Sequence, residues 1–341
     1  MKICVLGATG LVGRELIDLI PRAWPDASVA LYASRDQTLS LSDRSYSVQA
    51  ADRLELADAP RGDLALVALD DRHSARYVPR LLELGYRVID KSNTFRADPK
   101  VPLIAAGVNC DQVTANEYLI ANPNCTTIAF ALAVAPLARC WELTWATVST
   151  YQAISGAGKA ALDQFLAASK AGYDGAKLGQ SFDPSSYAAN TKPHGGGTDD
   201  SGFSSEERKL VSESRKILGL PRLSISAQCC RVPVAVGHFE NAWIGLGEPA
   251  SVKDLAAVYT QGHAPWVDYL PGPAGDDISA LATLQRRDRV LVGRLRRDIR
   301  DDGGRTFCLT IAADNLRLGA ATNAVRIASK WFPSRDPELQ S

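Results

Sequence analysis

The sequence predicts a mixed α/β protein with two domains. The chain has 341 residues, which is longer than a domain with a single hydrophobic core usually is. In the first part of the chain, short apolar segments alternate with segments of helical periodicity, a pattern typical of a doubly wound parallel sheet. After about residue 126 the segments become longer and rich in strand-forming residues, which indicates an α+β second domain.

The first elements follow one another as strand, turn and helix. The apolar run Ile3–Leu6 predicts a strand that is buried on both faces. Apolar residues at helical spacing then predict a helix, and they are Leu11, Val12, Leu16, Ile17 and Ile20. Three further strands are predicted at Val29–Tyr32, Leu64–Leu69 and Arg87–Asp90, with a helix over SARYVPRLLELG before the last of them.

The second part of the chain has a different pattern. Strands are predicted for WATVSTYQAIS, LSISAQCCRVPVAVGHFENAWIGL, VLVGRLRRD and RTFCLTIAAD, and helices for VKDLAAVYTQ and NLRLGAATNAVRIASKWF. The polar, glycine-rich segment NTKPHGGGTDDSGFSS between the first two strands predicts an exposed loop.

The composition excludes several classes of partner. Hydrophobic residues make up 46% of the chain, and 38 basic residues balance 38 acidic ones, so nothing favours nucleic acid or an anionic membrane. No apolar run has the length to span a bilayer, and no signal-peptide pattern precedes the first strand. The seven cysteines show neither a disulfide framework nor a metal-binding spacing. We therefore expect a cytoplasmic protein without a metal.

A glycine-rich turn joins the first strand to the first helix. Three glycines are spaced G-x-x-G-x-x-G, which lets backbone N–H groups approach a pyrophosphate at the positive end of the helix. We therefore predict a Rossmann-type dinucleotide-binding domain, although a tight turn without a ligand is the alternative. The predicted cofactor contacts in this turn are Gly7, Thr9, Gly10, Leu11, Val12 and Gly13.

The end of the second strand distinguishes NADP from NAD. An acidic residue at this position would bind the ribose 2′-hydroxyl group of NAD. Here Ser34 and Arg35 come first and Asp36 only afterwards. Because a hydroxyl and a guanidinium suit a 2′-phosphate, Ser34 and Arg35 favour NADP. A solvated loop arginine is the other interpretation of Arg35.

Cys125 begins a predicted helix in the segment NPNCTTIAF. A helix N-terminus favours the reactive thiolate, but a small core residue would fit the same position. His238, at the end of an apolar strand, is the candidate base, with a half-buried histidine of no catalytic role as the alternative. Arg231 lies seven residues upstream, on the opposite face of an ideal strand. A site using both side chains requires a bend, for which Pro233 and Gly237 are candidates.

Several motifs together resemble one enzyme family. They are GATGLVGRE, NTFR, NPNCTTI, STYQAISGAG, SSEERKLVSESRKIL, CRVPVAVGHFE and DNLRLGAATNAVRIA. Their order and content, from residue 3 to about residue 330, are similar to aspartate-β-semialdehyde dehydrogenase. The resemblance implies NADP-dependent conversion of L-4-aspartyl phosphate to L-aspartate 4-semialdehyde and phosphate, in lysine (diaminopimelate), threonine and methionine biosynthesis.

The resemblance also implies a role for each matched residue. Cys125 would attack the aldehyde and carry a thioacyl intermediate, His238 would act as acid and base, and Gln152 would position the intermediate. The implied substrate contacts are Arg231 for the α-carboxylate, Glu206 for the ammonium group, Arg96 and Lys209 for phosphate, and Asn124 beside the nucleophile. Gly156 and Asn315 would contact the cofactor. Without the resemblance, Gln152 could be a surface amide, and Glu206 and Lys209 a charged helix face.

The resemblance extends to domain organisation. It implies a nucleotide-binding domain over residues 1–126, a catalytic and dimerisation domain over 127–315, and a C-terminal helix over 316–341 that returns to the first domain. A homodimer or homotetramer through the second domain is expected, with a small-molecule substrate as the other partner.

Three segments depart from the family's pattern. Small residues usually follow the third strand, whereas this chain has Asp70–His73, whose carboxylates would repel the phosphates of a cofactor unless turned away. The usual Asp-Asn-Ser-Ser becomes Asp90–Asn93, in which Lys91 either adds a phosphate contact or faces solvent. The third segment carries glycines, Gly195–Gly197, in place of an apolar anchor, which alters the expected subunit interface more than the chemistry.

Two other functions remain open at the level of sequence. A related acyl-phosphate reductase such as N-acetyl-glutamyl-phosphate reductase also uses a thiol, but its cysteine motif differs from Asn-Pro-Asn-Cys. A non-catalytic paralogue with a regulatory role would usually lose the cysteine or the histidine, and this chain retains Cys125 and His238. Only the unusual Asp70–His73 segment favours such a paralogue.

Overall fold

The computed structural model describes residues 1–41, 43–172, 186–193 and 197–340. The chain divides into two compact units. The first unit combines Met1–Asn124 with Gly319–Ser341, and the second is Cys125–Leu318. Both units contain a sheet and helices, as predicted for an α/β protein with an α+β second part.

The elements are numbered here in chain order. The strands are β1 (Lys2–Leu6), β2 (Ser28–Ala33), β3 (Gln37–Leu41), β4 (Arg44–Ala50), β5 (Leu64–Val67), β6 (Arg87–Asp90), β7 (Leu119–Ala121), β8 (Leu143–Gln152), β9 (Lys192–Pro193), β10 (Ser224–Arg231), β11 (His238–Leu246), β12 (Val267–Leu270), β13 (Val290–Arg297) and β14 (Thr306–Ala313). The α-helices of the described residues are α1 (Leu11–Ala23), α2 (Asp71–Glu83), α3 (Cys125–Ala138), α4 (Lys159–Gly172), α5 (Ser205–Leu218), α6 (Val252–Thr260) and α7 (Asn323–Ser329).

The first unit is built on a seven-stranded sheet in the order β3-β4-β2-β1-β5-β6-β7. All neighbouring strands are parallel except β3 and β4. This confirms the predicted doubly wound sheet. From β1 the chain adds strands first on one side (β2) and later on the other (β5), so the connections after β1 and β5 lead in opposite directions from the same edge of the sheet. A crevice at such a switch point is where doubly wound sheets bind nucleotides.

The antiparallel pair β3–β4 is a difference from the sequence prediction, which contained no strands between β2 and β5. Its residues are mostly exposed, with Leu39 and Val48 as the buried exceptions. Such polar segments carry too little hydrophobic signal to be recognised as strands. They are ordered because β4 adds to β2 through backbone hydrogen bonds.

The C-terminal segment belongs to the first unit, as predicted for a returning helix. This unit resumes at Gly319, within a π-helix over Arg317–Thr322, and continues as α7. Asn323 anchors it, since its Oδ1 accepts the Ala106 N–H (2.8 Å) and its Nδ2 donates to the Asn122 side chain (2.8 Å).

The second unit contains a mixed sheet in the order β12-β13-β14-β11-β8-β10-β9. Strand β8 runs parallel to β10 and antiparallel to β11. The helices α3, α5 and α6 pack against this sheet. Nearly every side chain of α3 is buried, which explains why its sequence is apolar on all sides rather than on one face.

The segment LSISAQCCRVPVAVGHFENAWIGL forms two strands separated by residues 232–237, which contain both candidate positions for the bend, Pro233 and Gly237. β10 ends at Arg231, β11 begins at His238, and the two strands flank β8 on opposite sides. Gly237 makes the final turn with a φ of 98°. A Cβ atom at this position would lie 2.5 Å from the carbonyl oxygen of Ala280, so the close approach also requires glycine.

Two absences can be stated for the described residues. None of their helices combines the length and apolar character needed to cross a membrane. All seven cysteines lie within the described ranges, and no disulfide links any two of them.

Candidate active site

Cys125 is the first residue of α3, and its Sγ lies 3.1 Å from Nε2 of His238. The predicted pairing of thiol and imidazole is therefore present within the second unit. Backbone N–H groups in the first turn of a helix have no partner inside the helix, and they place positive potential at its start. The sulfur is thus located where a thiolate is favoured.

His238 is buried, with 1% of its surface exposed, and its orientation is set by the backbone. The Ala153 N–H donates a hydrogen bond to Nδ1 at 3.0 Å. A nitrogen that accepts a hydrogen bond carries no proton, so a neutral ring holds its proton on Nε2. In this tautomer the proton on Nε2 points at the sulfur of Cys125.

Arg231 ends β10 opposite Gln152 of β8. Its NH1 group donates to the Ala153 carbonyl oxygen at 2.6 Å. Burial lowers the pKa of the Arg231 guanidinium, whereas the charges of Cys125 and Glu206 act in the opposite direction. The Ala153 peptide thus contacts His238 through its N–H and Arg231 through its carbonyl group.

Gly156 lies against both of these side chains. A Cβ atom there would be 2.8 Å from Arg231 NH1 and 3.3 Å from His238 Cε1. Glycine is therefore needed for packing of the histidine and the arginine. The predicted contact of Gly156 with a cofactor stays a prediction.

Gln152, Glu206 and Lys209 form a connected row. Gln152 Nε2 donates to Glu206 Oε1 at 3.1 Å, and Lys209 Nζ lies 3.3 Å from Glu206 Oε2. Glu206 is 6% exposed although it is charged. It lies in the first turn of α5, whose N-terminus is closed by a capping box between Ser204 and Glu207. The sequence alone gave no reason to separate Glu206 and Lys209 from an ordinary helix face. The contacts of Glu206 with both Gln152 and Lys209 supply that reason.

Asn315 holds the turn that precedes His238. Its Oδ1 accepts the Gly237 N–H at 3.0 Å, and its amide exchanges hydrogen bonds with Ser155. This supporting contact was not predicted from the sequence, and no local pattern around Asn315 signals it. A direct contact of Asn315 with a cofactor remains a prediction.

In the first unit, the predicted glycine turn has two glycines that the fold requires. Gly7 has a φ of 82°, and a Cβ atom on it would lie 2.4 Å from the Ala68 carbonyl oxygen. A Cβ atom on Gly13 would lie 2.1 Å from the Gly7 carbonyl oxygen. At Gly10 the nearest atom would be 3.2 Å away, so packing alone leaves more room there.

Some N–H groups of the turn donate hydrogen bonds within the protein, and others can bind a ligand. Gly7 and Ala8 both donate to the Tyr32 carbonyl oxygen, and Gly10 donates to Gly7. Leu11, Val12 and Gly13 are the first residues of α1, where N–H groups have no partner inside the helix. Thr9 stands between these two sets. The turn can therefore cradle an anionic group at the start of α1.

Ser34 and Arg35 follow β2 and are exposed. The neighbouring acid Asp36 is engaged elsewhere, because its carboxylate accepts from Arg53 NH2 (2.6 Å) and from the Ala50 N–H (2.7 Å). These hydrogen bonds lower the pKa of Asp36. Beyond β2, Ser34 and Arg35 thus offer a hydroxyl and a cation, while the carboxylate of the exposed Asp36 is paired with Arg53.

Asp70–His73 forms the N-cap and first turn of α2, so this helix begins three residues earlier than the predicted start at Ser74. Asp70 is the N-cap of α2, and its carboxylate accepts both the backbone N–H of His73 (3.0 Å) and its ring Nδ1 (2.8 Å). These contacts lower the pKa of Asp70. Asp71 is held by Asn93 (2.8 Å to the backbone nitrogen). Both carboxylates therefore have partners within the first unit.

Arg96 is half-buried and bound by its own loop. Its NH2 group donates to the Lys91 carbonyl oxygen at 2.5 Å and its NH1 group to Asn93 Oδ1 at 3.2 Å. Asn124, the last residue of the first unit, is buried. In the third departure from the family pattern, residues 194–196 lie outside the described residues. Gly197 is described and exposed.

Comparisons with known proteins agree with this arrangement. The family described as "Semialdehyde dehydrogenase, NAD binding domain" matches residues 2–116, and "Semialdehyde dehydrogenase, dimerisation domain" matches residues 134–318. Aspartate-semialdehyde dehydrogenase of Aquifex aeolicus is 34% identical over 336 residues, with 96% of each chain covered. That of Mycolicibacterium smegmatis is 35% identical, covering 96% of this chain and 98% of the relative.

A solved structure is also similar over nearly the whole chain. It is aspartate semialdehyde dehydrogenase II of Vibrio cholerae complexed with ASA, at a TM-score of 0.85 and 30% identity. The match covers 96% of this chain and 97% of that one.

Proposed function

The chain belongs to the aspartate-semialdehyde dehydrogenase family, and we propose that it converts L-4-aspartyl phosphate to L-aspartate 4-semialdehyde with NADPH. In the reverse direction it would oxidise the aldehyde and phosphorylate the product. The observation that carries this proposal is the 3.1 Å contact between Cys125 Sγ and His238 Nε2 at the start of α3. This reaction would serve the biosynthesis of lysine, threonine and methionine in the cytoplasm.

The reaction begins with the thiolate of Cys125. It attacks the acyl carbon of aspartyl phosphate, the bond to the phosphate oxygen breaks, and a thioester forms on the sulfur. When bound, NADPH supplies the hydride that reduces this thioester. The resulting oxyanion re-forms a carbonyl group as the bond to sulfur breaks, which releases the aldehyde and restores the thiolate. The one proton consumed overall ends on the departing phosphate.

His238 assists through its Nε2–H group. The hydrogen bond from Ala153 to Nδ1 holds the proton on Nε2, so this group first donates to the thiolate. It can then donate to the oxyanion that develops on the reacting carbon, beside the sulfur. The proposed role of His238 is therefore hydrogen-bond donation from a neutral ring. It is narrower than the acid and base role that the family resemblance implies.

The substrate's own charges match two groups. The Arg231 guanidinium suits the α-carboxylate, which it can bind through two parallel hydrogen bonds. The Glu206 carboxylate suits the α-ammonium group, and its contact with Gln152 fixes that amide for the reacting carbonyl. An N-acetylated substrate has no ammonium group, so the buried Glu206 disfavours the N-acetyl-glutamyl-phosphate alternative.

Two cations are proposed for the phosphate. Lys209 lies beside Glu206 at 3.3 Å in the second unit, and Arg96 is held at the end of its loop in the first. Asn124 immediately precedes the nucleophile and would orient it. An unpaired phosphate oxygen is costly away from water, so cationic partners are expected.

The first unit fits a dinucleotide with a 2′-phosphate. The start of α1 offers N–H groups to a pyrophosphate. Gly10 has no side chain, so a phosphate group can approach the backbone there. Ser34 and Arg35 supply a hydroxyl and a guanidinium beyond β2, and Asp36 is occupied by Arg53. These features favour NADP over NAD.

A homodimer through the second sheet is the proposed assembly. The face of this sheet that is turned away from the helices carries Trp145, Tyr151, Phe239 and Trp243, all partly exposed. Tyr151 and Phe239 contact each other edge to face across the strands. Aromatic side chains on an open face suit a protein interface, and the match to a dimerisation domain covers this sheet.

The test is a substrate assay with the purified full chain. We expect reduction of NADP when aspartate semialdehyde and phosphate are both present. The near-UV absorbance of the reduced cofactor measures this reaction. Cys125→Ser should lower the rate by at least about a thousandfold while the cofactor still binds, because a neutral hydroxyl is a poor nucleophile. No turnover by the wild-type chain with an intact thiol would contradict the proposal, and NAD in place of NADP tests the cofactor.

A further inference from the structure

Two departures from the family pattern contact each other in the first unit. The Asp71 carboxylate accepts the Asn93 backbone N–H at 2.8 Å and the Asn93 Nδ2 group at 3.1 Å. Thr94 Oγ1 donates to the Asp71 carbonyl oxygen at 3.0 Å. The first turn of α2 is therefore fastened to the loop that follows β6.

The other end of the same amide reaches Arg96. Because Nδ2 of Asn93 is held by Asp71, its Oδ1 points away from that carboxylate and accepts from Arg96 NH1 at 3.2 Å. Arg96 NH2 donates to the Lys91 carbonyl oxygen. The orientation of the guanidinium thus depends on an amide whose own orientation depends on Asp71.

An amide between the acid and the arginine has an electrostatic consequence. A carboxylate in direct contact with a guanidinium would form an ion pair and compete with an incoming anion. The oxygens of Asn93 and Lys91 that contact Arg96 are neutral and fix the position of its guanidinium, while the charge of the buried Asp90 also interacts with Arg96.

We propose that Asp71 is a positioning residue for phosphate binding, which orients Arg96 through Asn93. The proposal rests on the proposed function, in which Arg96 binds the phosphate of the substrate. It also gives the two unusual segments a shared role, because the Asp71 carboxylate contacts both the backbone N–H and the side-chain amide of Asn93. Asp71 itself touches neither the substrate nor the reacting atoms.

The experiment measures each Michaelis constant of Asp71→Ala in the phosphorylating direction. We expect KM for inorganic phosphate to rise about three- to tenfold, the range for losing one hydrogen bond that orients a binding group. The KM values for aldehyde and NADP, and kcat at saturating phosphate, should stay within about twofold of wild type. Asp71→Asn keeps one acceptor oxygen and should lie closer to wild type.

Two controls separate positioning from charge or folding. Asp58→Ala removes one exposed acid from the same unit and should leave KM for phosphate unchanged. Thermal unfolding of each variant shows whether the first unit remains folded. In an Arg96→Ala background, Asp71→Ala should add no further rise in KM for phosphate, because the group that it orients is gone.

Three outcomes would overturn the proposal. They are an unchanged KM for phosphate in Asp71→Ala, equal changes in all Michaelis constants, and additive effects with Arg96→Ala. If Arg96→Ala raises KM for phosphate and Asp71→Ala does not, only the positioning role fails. If the wild-type chain has no turnover, the proposed function fails, and calorimetric titration with inorganic phosphate still compares the same variants.

Discussion

At the residue scale, the peptide group of Ala153 arranges the candidate catalytic groups. Its N–H fixes the His238 ring and its carbonyl oxygen holds the Arg231 guanidinium. No side chain of Ala153 takes part, so residue type carries no signal for this role. The pairing of Cys125 with His238 could be predicted from their motifs, whereas the tautomer of His238 follows only from the backbone contact.

A donor role for His238 predicts that glutamine is a better replacement than alanine. Glutamine places an N–H group close to the position of Nε2 but cannot transfer a proton at neutral pH. We expect His238→Ala to lower kcat about a hundredfold or more, the usual effect of removing such a donor, and His238→Gln to lower it clearly less. Steady-state kinetics from pH 6 to 8 check this, with His238→Asn as a shorter control.

A proton-shuttle role would give a different result. The glutamine variant would then be as inactive as the alanine variant. In every variant, the pH profile of kcat would lose the sloping part that reports titration of His238. For a donor, the pH profile of His238→Gln keeps the wild-type shape.

At the element scale, the glycines of the turn between β1 and α1 serve either backbone packing or ligand binding. The sequence motif does not distinguish these two roles. Gly7 and Gly13 are required by the packing of β1, α1 and the loop after β5, whereas Gly10 has more space. The turn could be predicted because glycine spacing is a local property. Which glycine serves folding and which serves a ligand depends on the neighbouring strand.

Alanine at these glycines should therefore have different effects. A Cβ atom on Gly13 would meet the Gly7 carbonyl oxygen at 2.1 Å, and neither backbone segment can move away cheaply. We expect Gly13→Ala to lower the free energy of unfolding by about 2 kcal/mol. Gly10→Ala should change it by less than about 1 kcal/mol but weaken cofactor binding, because its methyl group points toward space for a ligand.

Thermal unfolding and cofactor titration measure the two effects. Equal destabilisation by Gly10→Ala and Gly13→Ala would contradict the division of roles. An unchanged affinity for NADP in Gly10→Ala would show that the turn does not contact the cofactor at this residue.

At the scale of the whole molecule, one buried acid links stability to pH. Glu240 is the third residue of β11 and is fully buried, and neither of its carboxyl oxygens has a hydrogen-bond partner among the described residues. Burial raises the pKa of Glu240 well above its usual 4.5. The folded protein thus binds this proton more tightly than the unfolded chain, and stability falls as the pH rises above about 4.5.

Glu240→Gln should remove this loss of stability. The amide keeps the shape of the protonated acid, so the variant should resemble wild type near pH 4 and exceed it at higher pH. Each pH unit between the unfolded and folded pKa values is worth about 1.4 kcal/mol. Chemical denaturation at several pH values measures the difference, with exposed Glu248→Gln as the control. A gain that is the same at every pH would show that ionisation is not its cause.

The fold class could be predicted because its signals are local. The buried strands β1, β5 and β6 are short apolar runs, and α1 has clear helical periodicity. The strands β3 and β4 were missed because they are polar, and their order comes from pairing with β2. The segment that became β10 and β11 was predicted to be β-rich with a bend at Pro233 or Gly237, but no local signal says that its two strands lie on opposite sides of β8.

The sequence by itself determined the chemistry that this protein carries: a thiol at a helix start, a histidine and an arginine in one segment, and a glycine turn after a buried strand. Only the tertiary structure decided how these groups are used. It placed Arg231 and His238 on either side of β8, where one peptide contacts both, and it joined Asp71 to Asn93. The physical reason is that hydrogen bonds between distant segments depend on strand order, which a local residue pattern does not encode.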